Sequence, residues 1–506
     1  MKIVTLGAGP GGLYCSLLLK KANPKLDITV IERNPHDATY GWGVVFSDRT
    51  LNSFREADYK SYKAITDQFV IWDAIDVFYQ GEMVRCGGHI FAGMARRELL
   101  LVLQERCREL GVNLQFDTEV EDLAQFAGCD LIIACDGVNS MIRKTYEDIF
   151  KPDLAVGQAK FVWFGTHRVF DSFTFIFREN EHGLFQVHAY PFDGNTSTFI
   201  VECAEDVWLR AGLDQAGEAE SIAYCEKLFA ADLHGHSLLS NRSLWINFIT
   251  VKNKTWRYKN VVLLGDSAHT AHFSIGSGTK LAMEDAIALA NAFEQHGADL
   301  ETAFKNYEAE RRPRVDLLQA AAIESQSYFE NVKRYTHLDP LQFTFHLLTR
   351  SGRITYDNLR LRDPYYSESV DRWFTTKACL QEDDQAGSAP DRILTIAPPP
   401  MFTPLQLRNM ALANRVALSP VSTYSAREGL PDATHREQLI RRARSGVALI
   451  ITEPTAVSAN GRITAGDMFA SWLAHDLHHL RQLVELQRAY TEHQVQPYRM
   501  DYAGPW

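Results

Sequence analysis

Apolar runs alternate with helix-like stretches along the first part of the chain. Residues 2–6 and 28–31 form short apolar runs, and residues 13–21 place apolar side chains at helical spacing. Short apolar runs that alternate with helical stretches are typical of parallel strands covered by helices. This part of the chain therefore predicts an α/β fold built on a parallel sheet.

A different pattern occupies residues 156–205. Phe173, Phe175 and Phe177 stand at every second position, and Gln186 and His188 do the same further along. A period of two indicates antiparallel strands whose faces have different environments. We therefore predict a second sheet in the middle of the chain.

Helical spacing returns after residue 286, and residues 381–400 are polar and rich in proline, which indicates a linker. These changes predict a Rossmann-like nucleotide-binding domain, an inserted antiparallel β-sheet domain, a helical segment, a linker and a C-terminal segment. The nucleotide-binding domain comprises residues 1–155 and 256–300, and the inserted domain comprises residues 156–255 with part of 60–95. The helical segment is residues 301–380, the linker is residues 381–400, and the C-terminal segment is residues 401–506.

A glycine-rich turn joins the first predicted strand to the first helix. Its glycines are Gly7, Gly9, Gly11 and Gly12, and Glu32 follows at the end of the second strand. At this spacing the glycines permit a tight turn, close approach of a pyrophosphate and close packing of helix on strand. The N–H groups at the helix start can bind phosphate, and the Glu32 carboxylate can accept a hydrogen bond from a ribose hydroxyl. The block predicts a dinucleotide site.

Two further motifs follow in the same order as in a known family. Asp136-Gly137 comes after an apolar run, and Gly265-Asp266 precedes a glycine-rich turn that opens an alanine-rich helix. With the glycine fingerprint, these motifs resemble the single-component FAD-dependent aromatic hydroxylases over roughly residues 1–375. The resemblance implies a bound FAD and an inserted β-sheet domain that holds the substrate.

The candidate FAD contacts come from these motifs and from positions that the resemblance supplies. Arg96 opens a helix with the spacing that the family places beside the FAD phosphates, although a surface arginine on an amphipathic helix fits the same pattern. The complete set is Gly7, Gly9, Gly11, Gly12, Glu32, Arg33, Val45, Arg96, Asp136, Asp266, Gly276, Gly278 and Thr279.

The resemblance also implies the reaction. NADPH or NADH would reduce FAD, O2 would give a flavin C4a-hydroperoxide, and an electron-rich aromatic or heteroaromatic ring would take the distal oxygen. No second glycine fingerprint follows a predicted strand, as in the family. Backbone N–H groups near Gly278 and Thr279 would stabilise negative charge on the flavin.

Candidate substrate contacts lie on the period-2 strands. His188, with Gln186 and Tyr190 on the same strand face, is the candidate acceptor for a ring hydroxyl or amine proton, although such a face is more often packed core. The predicted pocket walls are Phe175, Phe177 and Phe273, the last where the family usually has a proline. His269 is expected to be structural.

Local runs at residues 40–48 and 271–280 indicate more specific relatives within this family. They are similar to hydroxylases of 2-aminobenzoyl-CoA and salicylyl-CoA, to the indole hydroxylase of violacein synthesis and to natural-product hydroxylases such as that of the piericidin pathway. We predict a natural-product intermediate as substrate, with an aromatic acyl-CoA as the alternative. A flavoprotein scaffold with an idle flavin is the alternative of another class, and a halogenase is disfavoured because the chain has no Trp-x-Trp motif.

Residues 402–426 and 447–464 resemble the first two βα units of Old Yellow Enzyme-like flavin barrels. The chain ends at Trp506, and two or three strands cannot close an eight-stranded barrel. We therefore expect a partial barrel without FMN. Because such a remnant leaves strand faces and an edge that need cover, we expect it to pack against the hydroxylase domains or another subunit, and so to support a homo-oligomer.

Composition excludes some partners. The formal net charge of −11 argues against nucleic acid as a partner. The eight cysteines have no metal-ligand spacing, so we expect no metal site and a reducing compartment. No signal peptide precedes the first strand and no apolar run is long enough for a membrane helix, so a cytoplasmic protein is expected.

Overall fold

A computed structural model describes residues 1–39, 41–47, 51–297, 299–383, 397–420 and 433–452. The chain divides into two units, residues 1–358 and 359–506, and each is described by itself.

The strands of the first unit are β1 (Lys2–Leu6), β2 (Asp27–Ile31), β3 (Gly43–Ser47), β4 (Val70–Trp72), β5 (Ile75–Tyr79), β6 (Glu82–Cys86), β7 (Phe91–Ala95), β8 (Asn113–Gln115), β9 (Leu131–Ala134), β10 (Pro152–Thr166), β11 (Phe173–Asn180), β12 (Gly183–Pro191), β13 (Ser197–Ala204), β14 (Leu238–Leu239), β15 (Ile246–Asn253), β16 (Arg257–Tyr258) and β17 (Val261–Leu263). Its helices are α1 (Pro10–Ala22), α2 (Leu51–Ala57), α3 (Tyr59–Thr66), α4 (Arg96–Leu110), α5 (Met141–Thr145), α6 (Glu147–Phe150), α7 (Glu205–Arg210), α8 (Glu218–Leu228), α9 (Ala230–Leu233), α10 (Gly278–His296), α11 (Leu300–Glu330), α12 (Pro340–Thr349) and α13 (Tyr356–Arg362), the last of which continues into the second unit.

The parallel sheet has the strand order β16-β17-β9-β1-β2-β8. Strands β1, β2, β8, β9 and β17 pair in parallel, and β16 is antiparallel to β17. Helix α1 packs against α4 and α10, and its own residues Leu13, Tyr14 and Leu17 are fully buried. The sheet is apolar because helices cover it, as the short apolar runs predicted.

The second sheet is mostly antiparallel. Its order is β14-β10-β13-β12-β11-β5-β6, and β15 also pairs with β10. Strands β5 and β6 come from the 60–95 range and join through a parallel pairing of β5 with β11. A separate three-stranded sheet, β3-β7-β4, contains the chain from Gly43 to Ser47. Together, a parallel nucleotide-type sheet and an inserted antiparallel sheet confirm the predicted fold class.

The described part of the second unit contains α14 (Pro364–Asp383), β18 (Leu405–Leu407), β19 (Met410–Leu412), β20 (Ala417–Leu418), α15 (Ala433–Ala443) and β21 (Leu449–Ile450). Strands β20 and β21 pair in parallel with α15 between them in sequence, which is a βα unit. Helix α14 extends to Asp383, three residues into the range predicted as a linker. Residues 384–396, 421–432 and 453–506 lie outside the described residues, including the later part of the predicted barrel segment.

No helix among the described residues is long and apolar enough to cross a membrane.

Candidate functional site

The glycine-rich turn has the geometry that a dinucleotide requires. Gly7 has φ +102°, and a Cβ there would lie 2.2 Å from the Cys135 carbonyl oxygen. A Cβ on Gly12 would lie 2.2 Å from the Gly7 carbonyl oxygen, so both positions are closed to larger residues. Gly9 is different, because a Cβ there meets nothing within 4 Å and its backbone is extended, with φ −70°. Gly9 therefore leaves open space at the start of α1, where N–H groups bind phosphate.

Glu32 holds this turn in place. Its carboxylate accepts hydrogen bonds from the Ala8 N–H at 2.9 Å and from the backbone and side chain of Asn34 at 2.9 and 2.7 Å. Glu32 also lines a small cavity of about 100 Å³ that Arg96 and Phe116 share. This cavity fits the ribose and adenine end of a dinucleotide. Arg33 is exposed and lines neither this cavity nor the larger one described next.

A larger cavity of about 280 Å³ continues from the glycine turn toward the antiparallel sheet. Most of the predicted cofactor contacts line one end of it. These are Gly9, Gly11, Gly12, Val45, Arg96, Asp266, Gly276, Gly278 and Thr279. They come from four separate segments, so the structure brings together residues that are more than 250 positions apart.

Asp266 and Arg96 are the charged pair of this end. The Asp266 carboxyl is accessible from the cavity, yet surrounding protein raises its pKa while Arg96 and His269 act in the opposite direction. Burial lowers the pKa of Arg96, and Asp266 partly offsets that effect. Arg96 is the first residue of α4, and its N–H donates to the Trp42 carbonyl at 2.8 Å. The pair supplies an acceptor for ribityl or ribose hydroxyls and a cation for phosphate.

Helix α10 directs its N-terminus at the same space. Gly276 has φ +58°, Ser277 is the N-cap, and Gly278 and Thr279 are the first helical residues. A Cβ on Gly278 would meet nothing within 4 Å. Unpaired N–H groups at the start of a 19-residue helix stabilise negative charge placed before them.

Asp136 does not line the cavity, against the prediction that it contacts the cofactor. Its Oδ2 accepts from the N–H groups of Met141 at 2.7 Å and Ile142 at 3.3 Å, so it caps the turn that follows. Its neighbours Cys135 and Gly137 are the lining residues of this motif. A carboxylate five residues before a helix start finds backbone donors there first.

The other end of the cavity is aromatic. It is lined by Trp163, Phe173, His188, Tyr190, Ile200, Phe248 and Phe273. Phe273, which replaces the family's usual proline, packs on Phe161 with ring centroids 4.7 Å apart. Rings and one branched aliphatic residue suit a flat aromatic ligand.

Phe175, Phe177 and Gln186 share the sheet face with His188 but do not line this cavity, so their prediction as pocket residues is not supported by the geometry. Phe175 lies behind His188, with centroids 5.2 Å apart, and Phe177 packs edge-on to Phe343 at 4.8 Å. The Gln186 amide donates to the Phe329 carbonyl at 3.3 Å. Helices α11 and α12 supply these partners, and strand periodicity gives no information about them.

His188 is paired with a buried acid that the sequence analysis missed. Its Nε2 shares a 3.0 Å hydrogen bond with Glu202 Oε2, and each side chain is 1% exposed. Burial, followed by the charge of Arg350, lowers the pKa of His188 to about 3. Burial raises the pKa of Glu202 to about 7. The available signal was a single glutamate within the apolar strand that runs from Phe199 to Cys203.

His269 has a structural partner, as expected. Its Nε2 lies 2.7 Å from Asp285, which also accepts from Arg311 at 2.7 Å and from the Gly265 N–H at 3.3 Å. All three side chains are at most 2% exposed. This triad joins the loop before α10 to α10 and α11.

The residues around the cavity fit FAD on these observations. Gly9 and Gly278 provide open backbone at two helix starts, Glu32 and Asp266 provide acceptors, and an aromatic compartment adjoins them. Among the residues that the structure describes, no group of three or more His, Cys, Asp or Glu side chains could hold a metal ion.

Two family models match the chain. One, described as an FAD binding domain, matches residues 1–322. The other, described as the NADH:flavin oxidoreductase / NADH oxidase family, matches residues 400–491. The two matches agree with the two resemblances predicted from the sequence.

Three curated relatives are similar over about two thirds or more of this chain. Salicyloyl-CoA 5-hydroxylase of a Streptomyces species is 45% identical over 384 residues, which cover 74% of each chain. Protodeoxyviolaceinate monooxygenase of Chromobacterium violaceum is 33% identical over 68% of this chain and 92% of its own. The 3-hydroxy-4-methyl-anthranilyl (aryl-carrier protein) 5-monooxygenase of Streptosporangium sibiricum is 33% identical over 71% of this chain and 97% of its own.

A solved structure supports the fold alone. The tetrameric form of 2-methyl-3-hydroxypyridine-5-carboxylic acid oxygenase aligns with a TM-score of 0.55 at 18% identity, over 71% of this chain and 95% of that one.

Proposed function

Since the chain belongs to the FAD-binding monooxygenase family and is an FAD-dependent aromatic hydroxylase, we propose that it uses NADPH or NADH and O2 to hydroxylate a ring that carries a hydroxyl or amino group. The overall reaction consumes the ring C–H, O2, NAD(P)H and a proton, and gives the ring C–OH, NAD(P)⁺ and water. The observation that carries the proposal is one continuous cavity with a dinucleotide end and an aromatic end.

The substrate proposed is an aromatic acyl thioester or a related natural-product intermediate. The relative at 45% identity is named for salicyloyl-CoA, and one at 33% is named for an anthranilyl group on a carrier protein. Both names describe a ring with an ortho hydroxyl or amine attached to a thioester carrier. The relative named for protodeoxyviolaceinate supports a natural product that has no such carrier.

Bound FAD would supply the redox chemistry, accepting hydride from NAD(P)H and activating O2 for transfer of one oxygen atom. Gly9, Glu32 and Arg96 would hold its phosphates and ribose, and Asp266 its ribityl hydroxyls. The start of α10, at Gly278, would stabilise negative charge on the ring system.

The aromatic end of the cavity would bind and activate the substrate. Its rings, Trp163, Phe173 and Phe273 among them, orient a flat substrate and exclude water. His188 is the lining residue with an imidazole, so it accepts the hydrogen bond of the ring hydroxyl or amine. A shared or removed proton raises the electron density of the ring, which favours attack on an electrophilic oxygen.

The experiment is substrate-stimulated NAD(P)H oxidation by the FAD-reconstituted protein, with product mass measured under ¹⁸O2. Salicyloyl-CoA, 2-aminobenzoyl-CoA, the free acids, a hydroxypyridine and an indole form the panel. One ¹⁸O atom in a ring product establishes the function and identifies the substrate class. A flavin-loaded protein that responds to none of them contradicts the proposal and favours the scaffold alternative.

The C-terminal segment is proposed to bind no FMN and to support a homo-oligomer. Its matched region spans residues 400–491, and the described strands β20 and β21 form one parallel pair. One βα unit supplies a small part of the closed barrel on which an FMN site is built.

A further inference from the structure

A buried polar cluster lies behind the aromatic end of the cavity. It consists of His188, Glu202, His272 and Arg350, which we call the His–Glu cluster. His188 and Glu202 share a 3.0 Å hydrogen bond, and only His188 lines the cavity. Glu202 has no role in the reaction proposed so far, yet a carboxyl group 1% exposed is costly to keep and calls for a reason.

His188 is surrounded by aromatic rings. The ring centroids of Phe329, Phe175 and Phe273 lie 4.6, 5.2 and 5.3 Å from that of the imidazole. This apolar shell and the charge of Arg350 disfavour an imidazolium ion, so His188 is neutral at physiological pH. If His188 takes a proton from the substrate, it must therefore transfer a proton to another acceptor.

The groups that face Glu202 come from four elements. His188 and Gln186 lie on β12, His272 lies in the loop before α10, Glu330 ends α11, and Arg350 follows α12. Burial is the largest influence and raises the pKa of Glu202 to about 7, with Glu330 adding to it. His272, Gln186 and Arg350 lower it. The carboxyl group therefore changes charge within the physiological range.

A short chain of hydrogen bonds holds Arg350 and His272 in position near Glu202. Arg350 Nε donates to Ser325 Oγ at 2.8 Å, and the Ser325 and Ser274 hydroxyls are 2.8 Å apart. Ser274 Oγ lies 2.8 Å from His272 Nδ1. Because Arg350 is committed to this chain, its charge stays near the His–Glu pair without forming an ion pair with Glu202.

The charge on Glu202 sets the tautomer of His188. An ionised carboxylate accepts from Nε2–H, which leaves Nδ1 as an acceptor. A protonated carboxyl group donates to Nε2, which leaves Nδ1 as an N–H donor. His188 Nδ1 and Glu202 Oε1 are both buried, and among the described residues neither atom has a hydrogen-bond partner. Each end of the pair therefore has one hydrogen-bonding atom that no protein group uses.

Tyr190, the other titratable side chain in the aromatic end, is already engaged. Its hydroxyl donates to the Gly43 carbonyl at 2.9 Å, and burial raises its pKa to about 12. It therefore does not compete with His188 for a substrate proton at physiological pH.

We propose that His188 and Glu202 form a two-residue proton relay that takes the hydroxyl or amine proton of the substrate ring and stores it on the buried carboxylate. This inference rests on the proposed hydroxylation. We write X for the oxygen or nitrogen of that ring substituent. The X–H bond breaks as His188 Nδ1 gains the proton, and the Nε2–H bond of His188 breaks as the Glu202 carboxylate gains the second proton. His188 touches the substrate, and Glu202 is a positioning residue that acts through it.

The relay runs backward after oxygen transfer. When the deprotonated ring attacks the electrophilic oxygen, the ring gains a C=X bond and a tetrahedral carbon that bears the new hydroxyl group. Glu202 returns its proton through His188 to X, and the hydrogen on the tetrahedral carbon leaves as a proton to solvent. The ring is aromatic again and Glu202 is ionised for the next turnover.

The first test reads the tautomer without any substrate. In FAD-loaded protein labelled with ¹⁵N-histidine, a His188→Gln difference spectrum identifies His188 among 17 histidines. We expect the proton to move from Nδ1 to Nε2 as pH rises between about 5.5 and 8.5, and this change to be absent in Glu202→Gln. A His188 tautomer that is constant with pH in the wild type overturns the relay.

The second test uses turnover. With the substrate that the panel identifies, kcat/KM for hydroxylation is expected to rise with pH through neutrality in the wild type. In Glu202→Gln we expect a loss of about 100-fold and no such rise, because the amide keeps the volume but accepts no proton. Reduction of FAD by NAD(P)H, measured without substrate, should stay within about twofold of wild type, since the relay acts on the substrate ring.

Two controls separate the outcomes. Glu179→Gln removes an exposed carboxylate from β11 of the same sheet and should leave the pH profile unchanged. Glu202→Asp should recover part of the rate and the pH dependence. A Glu202→Gln enzyme that hydroxylates with the wild-type pH profile overturns the relay while the proposed function stands. A wild type with the tautomer change but no hydroxylation contradicts the function instead.

Discussion

Individual residues of the site divide into those that need space and those that need partners. Gly9 has an extended φ that any residue adopts, and nothing lies within 4 Å of its Cβ position. Gly7, in contrast, has a positive φ and contacts backbone. Both are glycines of one motif, but only at Gly9 does the structure leave room for a larger side chain, which is the space that we propose FAD occupies.

Gly9→Asn is therefore expected to fold and to lose FAD. Asparagine is a favourable N-cap, so the start of α1 is retained while its side chain occupies the phosphate space. We expect FAD affinity to fall at least about tenfold, or 1.4 kcal/mol, measured by flavin fluorescence on titration of the apoprotein. Gly128→Asn, at another glycine with nothing within 4 Å, is the control. Equal affinity in both variants would contradict this role of Gly9.

The raised pKa of Glu202 also affects stability. A group whose pKa is raised by folding contributes stability fully below its unfolded value of 4.5, and that contribution is lost as pH rises through about 7. His188 and His272 have lowered pKa values, so their contribution is present above 6.5 and is lost as pH falls toward 4 and below.

Glu202→Gln should therefore melt at a temperature near that of wild type around pH 5 and above it at pH 8. The amide removes the cost of a buried ionised carboxylate without changing volume. Differential scanning calorimetry of both proteins across this range measures the difference, and the exposed Glu179→Gln is expected to show no trend. A difference that shrinks as pH rises would contradict the assignment.

At the scale of elements, the buried triad of His269, Asp285 and Arg311 fixes α10 against α11. Asp285 is fully buried, and its charge is balanced by Arg311 at 2.7 Å and shared with His269 at 2.7 Å. Because α10 presents its N-terminus to the flavin end of the cavity, the triad also sets the position of Gly278 and Thr279.

Arg311→Met is expected to destabilise the protein by about 3–5 kcal/mol, since it leaves Asp285 buried without its cation. Urea unfolding followed by circular dichroism measures the change. Arg314→Met, on the same helix, removes a pair that is 60% and 47% exposed and should change stability by under about 1 kcal/mol. Similar losses in both variants would show that helix packing, rather than charge balance, explains the effect.

At the scale of the whole molecule, all lining residues of both cavities lie within residues 1–358. The residues proposed to hold FAD therefore all belong to the first unit. The C-terminal segment is left with the role proposed for it, the support of an oligomer without a flavin of its own.

Deletion of residues 390–506 should reduce the number of chains per particle, measured by light scattering, and leave one FAD per chain. The full-length protein should release FAD and no FMN on denaturation, as resolved by chromatography. The same number of chains per particle before and after the deletion would contradict the proposed role of the segment. FMN released by the full-length chain would contradict the expectation that the partial barrel binds no flavin.

Sequence by itself determined the elements and the cofactor class, because these depend on local rules. Hydrophobic period separated the parallel sheet from the antiparallel one, and glycine spacing identified the dinucleotide turn. The order of three motifs was sufficient for the family, which the matches over residues 1–322 confirm.

Only the tertiary structure decided which side chains meet. Strand periodicity placed Phe175, Phe177, Gln186 and His188 on one face, but helices α11 and α12 cover part of that face and leave His188 at the cavity. Glu202 lies 14 positions from His188 in sequence and became its partner through the pairing of β12 with β13. Contacts between distant segments depend on how elements pack. The periodicity of one element does not show which other elements pack against it.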